Sequence, residues 1–594
     1  MSPIRLDEPS EMPSTIGGGQ ITVSEYIFRR LCQVGIKSLF GVPGDFNLAL
    51  LEHIYDVPEL NWIGCCNELN AAYAADAYAK TSKQMAAVVT TFGVGELSAL
   101  NGIAGAYSEF APVLHIVGTT ALAEKRSPNA KNIHHLIANR KIYQKPDHYV
   151  YEKIAKNFSI ATASVDDDME ASCEDIDHVI EAIWRNSRPG YIFLPCDLTE
   201  RVVPEERLEI ALDLSYEVGC SSEKIEQVCN RIIERIYSSQ NVSVLAGAFI
   251  SKFRMNKLFD RLVELLEDKV NFFDTYMSKG VYNEEMPRYI GTYFGEKGNK
   301  VVSEAIEASD LVLCFGSFSN DMNTGFFSFK LGDDQIADIN AQYTHFGGQM
   351  DTDVTMMDLL PVLVAKLDVS RVNTAVKYTN IPRQSLRNVH ADVDAPLTEA
   401  DVGRNIENLL QPHDVLIIET CSFMTGAYRL KMNGACLVNQ CFWGSIGYAL
   451  PATLGASLAL RDFQKPGKVV TVEGDGSAQM SLPELVSMLR YNVSAIMLML
   501  NNDGYTIERA LNGPYRSYND ICGNWQWTQM LKTFGDINEE KSKSYKIDTA
   551  KQLYALTSTA EFHNEKRFQM VELIVPKFDM PWNYKQYEVK ELSS

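Results

Sequence analysis

Acidic, amide and imidazole side chains recur in this chain close to where short apolar runs end. The run KVVTVE leads into Gly474, Asp475 and Gly476, and the run AIMLML leads into Asn501 and Asn502, with Gly504 two residues on. A carboxylate oxygen and an amide oxygen suit a hard cation, and Mg²⁺ takes near-octahedral oxygen ligands that often include phosphate. Glycines at 474, 476 and 504 let the backbone approach a ligand, and a helix N-terminus after Gly476 attracts an anion. One reading is therefore a Mg²⁺–diphosphate site. The other is a pair of polar β-turns, since Gly-Asp-Gly and Asn-Asp-Gly form turns well. Three further groups could do acid–base work. Glu68 opens the helical stretch NELNAAYAADAYAK with Asn67 as its cap, as a catalytic carboxyl or as a favourable dipole contact. Asp45 follows a strand in FGVPGDFNLALL, where an aspartate also serves as an N-cap. His134 and His135 form a doublet in KNIHHLIANRK, suited to proton transfer near neutral pH or simply part of a polar loop.

The elements needed to position these groups follow from periodicity. Between the two apolar runs, SLPELVSMLRY carries Leu482, Leu485, Val486 and Leu489 at helical spacing, so the stretch reads as β-α-β. A right-handed crossover brings both strand ends to one edge of a parallel sheet, where α/β sheets bind ligands. The same alternation runs through most of the chain. The strand runs KSLFGV, LNWIGC, AAVVTTF, PVLHIVG and YIFLPCDL outline a first α/β domain over residues 20–200. NVSVLAGAFI, DLVLCFGS and DQIADIN outline a central one over 201–370. DVLIIET, CLVNQ, KVVTVEGDG, AIMLMLNN and FQMVELIV outline a third over 398–580. A polar, aperiodic stretch at 371–397 reads as a linker, and 1–19 and 581–594 as tails. The expected fold class is α/β, three consecutive domains with parallel sheets.

Composition narrows the partners. The 594 residues include 55 basic and 76 acidic side chains, a net charge of −21, which disfavours nucleic acid and anionic membranes. Twelve cysteines without CxxC or Cys/His ligand spacing suggest reduced thiols in a cytoplasmic protein. No apolar run reaches the roughly 18 residues of a membrane span, and the N-terminus lacks the apolar core of a signal peptide.

Taken together, FGVPGDFNLALL, CNELNAAYAADAYAK, TTFGVGELSALNGIAGAYSE, VLHIVG, IHHL, FWGSIGYALPATLGA, EGDGSAQM and NNDGYTIERALNGP resemble the thiamine-diphosphate-dependent 2-oxo acid decarboxylases along nearly the whole chain. The resemblance implies a pyrimidine-binding first domain, a non-catalytic central domain and a diphosphate-binding third domain. It also implies a homodimer or homotetramer whose active sites form at subunit interfaces. Asp475, Asn502 and the carbonyl of Gly504 would hold Mg²⁺. Ser422, Gly476 and Ser477 would lie at the diphosphate, and the Gly444 carbonyl would meet the aminopyrimidine. Ile446 would wedge the cofactor into its bent form, and Glu68 would bond the pyrimidine ring and promote the ylide. Asp45, His134, His135 and Glu508 would manage protonation and aldehyde release. Phe110, Met424, Ile507 and Leu511 would line the substrate pocket.

Some positions depart from the family. Phe110 stands where pyruvate decarboxylases usually carry histidine. Phe249 and Ile250 replace a cysteine pair implicated in substrate activation in some of them. ETCSFM replaces an ETGTSA type, and Ala77 a glycine. IHHL and RALNGPYRSYND look most like the broad-specificity branch that acts on phenylpyruvate and other transaminated amino acids. The expected reaction is decarboxylation of a bulky 2-oxo acid. Pyruvate and indolepyruvate decarboxylase are the neighbouring alternatives, and a non-catalytic thiamine-diphosphate-sensing regulator is the alternative of another class.

Overall fold

Short Val-, Ile-, Leu- and Phe-rich runs build three large sheets in the computed structural model, which describes residues 19–129, 131–378, 395–523 and 525–579. The chain divides into two compact units, 1–215 and 216–594. Of the two expected tails, only Gly19 is among the described residues.

In the first unit six strands lie side by side in the order Asn61–Gly64, Ser38–Gly41, Ala86–Thr91, Val113–Thr119, Gly190–Pro195 and Thr162–Ser164. All pair in parallel. Every residue of Ala86–Thr91, Val113–Thr119 and Gly190–Pro195 is buried, as a parallel sheet covered on both faces requires. Helices Val23–Gln33 and Met169–Asn186 bury apolar residues in one core with this sheet. Helix Glu68–Ser82 turns its fully buried alanines inward, and Asn101 of helix Val94–Glu109 donates to its Tyr73 Oη at 2.9 Å. The strand Thr162–Ser164 was not legible as an apolar run, because it is a short polar edge.

The second unit holds two sheets. The third-domain sheet has the order Cys436–Val438, Val415–Ile418, Val469–Gly474, Ala495–Asn501, Phe568–Ile574 and Ser542–Ile547, all parallel. The central sheet runs Tyr289–Thr292, Asn271–Asp274, Val242–Ala246, Leu311–Phe315 and Ile336–Ile339 in parallel. It then turns back through two antiparallel edge strands, Thr344–Phe346 and Gln349–Asp351.

Three local expectations are corrected. The strand read in NVSVLAGAFI stops at Ala246, and Phe249–Lys252 is helical, because the Phe249 N–H turns to the Gly316 carbonyl at 3.0 Å. The helix read in SLPELVSMLRY is present but begins only at Glu484 and runs to Arg490, separated by Leu482 and Pro483 from the helix Asp475–Ser481 before it. Proline has no N–H to continue the ladder, and Val486, expected inward, is 39% exposed. Residues 371–378, expected as linker, lie along the central sheet. Ala375 N–H donates to Lys269 O at 2.7 Å and Asn271 Nδ2 to Val376 O at 2.9 Å. The rest of that stretch to residue 394 falls outside the described residues.

A buried ion pair ties the two sheets of the second unit together. Lys279 Nζ meets Glu284 Oε1 at 3.2 Å with side chains 3% and 5% exposed, and also donates to Thr292 Oγ1 at 3.1 Å. Glu284 Oε2 accepts the Met432 N–H at 2.7 Å, ahead of strand Cys436–Val438. Removing one partner of a buried pair strands the other charge, so Lys279→Met is expected to cost about 3–5 kcal/mol in urea unfolding. Breaking the exposed Lys300–Glu304 pair the same way is expected to cost under about 1 kcal/mol.

Candidate active site

Parallel pairing delivers the carboxyl ends of the first unit's strands to one edge, and the predicted acid–base groups lie in the segments that follow them. Asp45 follows Ser38–Gly41 and does not cap a helix; Asn47 instead shapes the loop, accepting from the Gly44 N–H at 2.8 Å. The Asp45 carboxylate is thereby left to the histidines. His134 Nε2 donates to Asp45 Oδ2 at 2.5 Å, and His135 Nε2 stands 3.6 Å from Asp45 Oδ1. Phe46 and Phe92 flank the imidazoles, with ring centroids 5.1 Å from His134 and 5.8 Å from His135, respectively. Glu68 is the first residue of its helix, and Asn67 caps that helix by accepting from the Asn70 N–H at 2.8 Å. Glu68 Oε1 lies so near Gly95 that a Cβ there would be 2.9 Å away, so glycine leaves its room.

The second unit gathers the metal candidates in the same way. Asp475 begins a helix directly after Val469–Gly474 and is 1% exposed. Its oxygens accept the Gly476 N–H at 2.8 Å and the Gly504 N–H at 3.1 Å. Burial nevertheless pushes its carboxyl up to about 7, so a bound cation would favour its ionised form at neutral pH. The Asn502 amide oxygen lies 2.7 Å from the Gly504 carbonyl oxygen and 3.3 Å from Asp475 Oδ1. Three acceptors facing one another repel unless a donor or a cation intervenes. Octahedral Mg²⁺ with ligands at about 2.1 Å sets neighbouring oxygens about 2.9 Å apart, so the spacing fits. Turning the amide over satisfies the same atoms without a metal. Asn501 faces the sheet, donating to Glu572 Oε1 at 2.8 Å, which separates the roles of the adjacent asparagines.

Buried glutamates surround this half, and the sequence reading missed them. Glu419 accepts the N–H groups of Thr420, Gly447 and Ala449 at 2.8, 3.0 and 2.7 Å. It thus holds the loop that carries Gly444 and Ile446, and burial raises its carboxyl to about 7. Ser477 Oγ donates to Glu473, and Ser422 Oγ donates to Glu399. Both serines expected at a diphosphate are therefore engaged by acids in this structure. The available signal was a glutamate closing each apolar run, VLIIE and VVTVE.

The residues expected to line a substrate pocket come from three separate helices. Phe110 is the left-handed C-cap of helix Val94–Glu109, 5% exposed, under the Arg188 guanidinium at 4.0 Å. It precedes strand Val113–Thr119, at the amino edge of the sheet, opposite Asp45 and the histidines. Met424 is 4% exposed in the third-domain core with Phe423 and Tyr428. Ile507, Glu508 and Leu511 share the short helix Thr506–Leu511, where Glu508 and Leu511 are exposed.

One buried acid of the first unit gives a pH dependence. Glu96 is 2% exposed, and burial raises its carboxyl to about 8, opposed by the Gly93 N–H. The folded chain keeps a proton that the unfolded chain releases above about 4.5, so stability falls as pH rises from about 4.5 to about 8. Glu96→Gln is expected to remove that slope. Its advantage over the wild type in urea midpoint should grow across the window and level off above it, reaching a few kcal/mol in order of magnitude.

Three family signatures match the chain in order. The thiamine pyrophosphate enzyme N-terminal TPP binding domain covers residues 21–142, the central domain 229–367 and the C-terminal TPP binding domain 420–568. A pyruvate decarboxylase of Kluyveromyces lactis is 36% identical over 95% of this chain and 97% of its own length. The transaminated amino acid decarboxylase of Saccharomyces cerevisiae is 34% identical over 94% of each. Pyruvate decarboxylase isozyme 1 of the same yeast is 35% identical over 95% and 97%. With the acid–base cluster on one unit and the oxygen triangle on the other, the chain belongs to the thiamine-diphosphate-dependent 2-oxo acid decarboxylases of the thiamine pyrophosphate enzyme family.

Proposed function

We propose that this chain converts bulky 2-oxo acids, phenylpyruvate and related amino-acid-derived acids, to an aldehyde and CO₂ without oxidation. The observation that carries a catalytic role, against a cofactor-sensing regulator, is the contact of His134 and His135 with Asp45. Two imidazoles on one carboxylate suit proton transfer near neutral pH.

Asp475, Asn502 and the Gly504 carbonyl would hold Mg²⁺ against the diphosphate, and Gly476 and Ser477, in the first turn of helix Asp475–Ser481, would lie beside it. Thiamine diphosphate, when bound, supplies the electron sink for the electrons left behind as CO₂ departs. Glu68 would exchange a proton with the aminopyrimidine. The Gly444 carbonyl would orient that ring, Ile446 would brace it, and Ser422 would lie beside the diphosphate. Asp45, His134, His135 and Glu508 would deliver the proton that completes the aldehyde and assist its release. We further propose a cytoplasmic homodimer or homotetramer, with each active site completed across a subunit interface.

Asp475→Ala is expected to abolish Mg²⁺-dependent binding of thiamine diphosphate, because the site loses its anionic ligand. Titration calorimetry with and without Mg²⁺ reads this directly, and an unchanged affinity would overturn the metal assignment.

Support for a bulky substrate comes from the helix bearing Glu508. Ile507 and Leu511 stand one turn apart on it, and Leu511 is 59% exposed, apolar surface that a ring could cover. Covering a ring is worth about 1.5–3 kcal/mol, roughly ten- to a hundredfold in affinity. We expect a higher kcat/KM for phenylpyruvate than for pyruvate, and Leu511→Ala to lower the former several-fold while sparing the latter. If pyruvate is the better substrate of the wild type, the pyruvate decarboxylase reading replaces this one.

A further inference from the structure

The histidine doublet sits in a stretch of little regular structure, residues 131–149, so its geometry must be imposed from outside. His135 has φ +71°, a left-handed conformation that a side chain with a Cβ adopts at a cost. Two contacts hold it there. Its carbonyl abuts Gly93, where a Cβ would come within 2.3 Å of the oxygen. The same carbonyl accepts the Tyr151 hydroxyl at 2.6 Å. Within the turn itself, Leu136 N–H reaches Ile133 O at 3.2 Å.

Tyr151 is itself fixed. It is 4% exposed in helix Val150–Ala155, with its ring 6.1 Å from Phe92, which also flanks His135. The next residue, Glu152, pairs with the buried Lys125 at 2.9 Å and accepts from Ser164 Oγ at 2.9 Å, at the end of strand Thr162–Ser164. Just before the helix, His148 Nδ1 meets Thr120 Oγ1 at 3.0 Å. The hydroxyl therefore reaches the turn from a helix anchored on both sides.

We propose that Tyr151 is a positioning residue for His135: its hydroxyl clamps the left-handed turn and so holds the imidazole at the Asp45 carboxylate. This rests on the reading of His135 as a proton-transfer group. The charged and titratable groups facing His135 are Asp45 and His134 at the imidazole and Tyr151 at the carbonyl, with Glu96 acting on Tyr151. Tyr151 lies behind the turn, so its loss should act on turnover and leave substrate capture alone.

The test uses the holoenzyme with thiamine diphosphate and Mg²⁺. Tyr151→Phe keeps the ring and removes only the hydroxyl. It is expected to lower kcat for aldehyde release roughly three- to tenfold, the worth of one such hydrogen bond, at unchanged KM. The kcat–pH profile should change with it. Wild-type kcat and pH profile in Tyr151→Phe, with His135→Ala strongly impaired, would overturn the clamp. Wild-type aldehyde release in His135→Ala would instead overturn the role of His135 and the clamp with it. If Tyr151→Phe does not fold, 3-fluorotyrosine at position 151 decides, since it keeps the ring and hydroxyl and changes only the strength of the bond to the same carbonyl. A changed kcat and pH profile at unchanged KM supports the clamp, and wild-type behaviour overturns it.

Discussion

A parallel sheet makes every strand end at the same edge, and both candidate half-sites follow from that constraint. Hydrogen bonding across the sheets is satisfied strand to strand, but the segments leaving that edge must turn where polar groups crowd together. In the first unit the turns after Ser38–Gly41 and Asn61–Gly64 carry Asp45 and Glu68. In the second, the turns after Val469–Gly474 and Ala495–Asn501 carry Asp475 and Asn502. Separate positions in sequence are neighbours because adjacent strands deliver them side by side.

Desolvation sets the chemistry of the second-unit edge. Glu419, Glu473 and Asp475 are all buried at the ends of parallel strands, and burial raises each carboxyl above its ordinary value. Each has found backbone N–H donors: Thr420, Gly447 and Ala449 among those for Glu419, Gly476 and Gly504 among those for Asp475, and Gly474 for Glu473, which also receives the Ser477 hydroxyl. Their roles differ by geometry. Glu419 spends its oxygens on the loop bearing Gly444 and Ile446. Asp475 alone stands with the Asn502 and Gly504 oxygens, where acceptors face each other. A carboxylate saturated with N–H donors organises a loop, whereas one beside unpaired oxygens invites a cation.

The first-unit edge works by packing. Asp45 and His134 are half exposed or more, so aromatic neighbours and backbone contacts restrain the histidines more than burial does. That arrangement leaves the imidazoles open to solvent while confining the chain that carries them. The buried Lys125–Glu152 pair fixes the helix whose Tyr151 bonds the turn.

Sequence alone determined what is local. The α/β alternation, the main strands of each sheet, the Asn67 cap and the Gly-Asp-Gly turn all follow from short-range pattern and propensity, and they carried the family resemblance with them. It could not decide what depends on a neighbour brought in by the fold. Polar edge strands such as Thr162–Ser164 lack an apolar pattern, because only one side is paired. Phe110 and Met424 read as pocket residues because both are large and apolar. Only packing distinguishes a side chain covered by Arg188, or sunk in the core, from one that lines an opening. Glu419 and Tyr151 act through backbone groups 28 and 16 residues away, a partnership that no spacing rule encodes. The partner of Asn501 was likewise tertiary, since Glu572 on the adjacent strand Phe568–Ile574 accepts its amide.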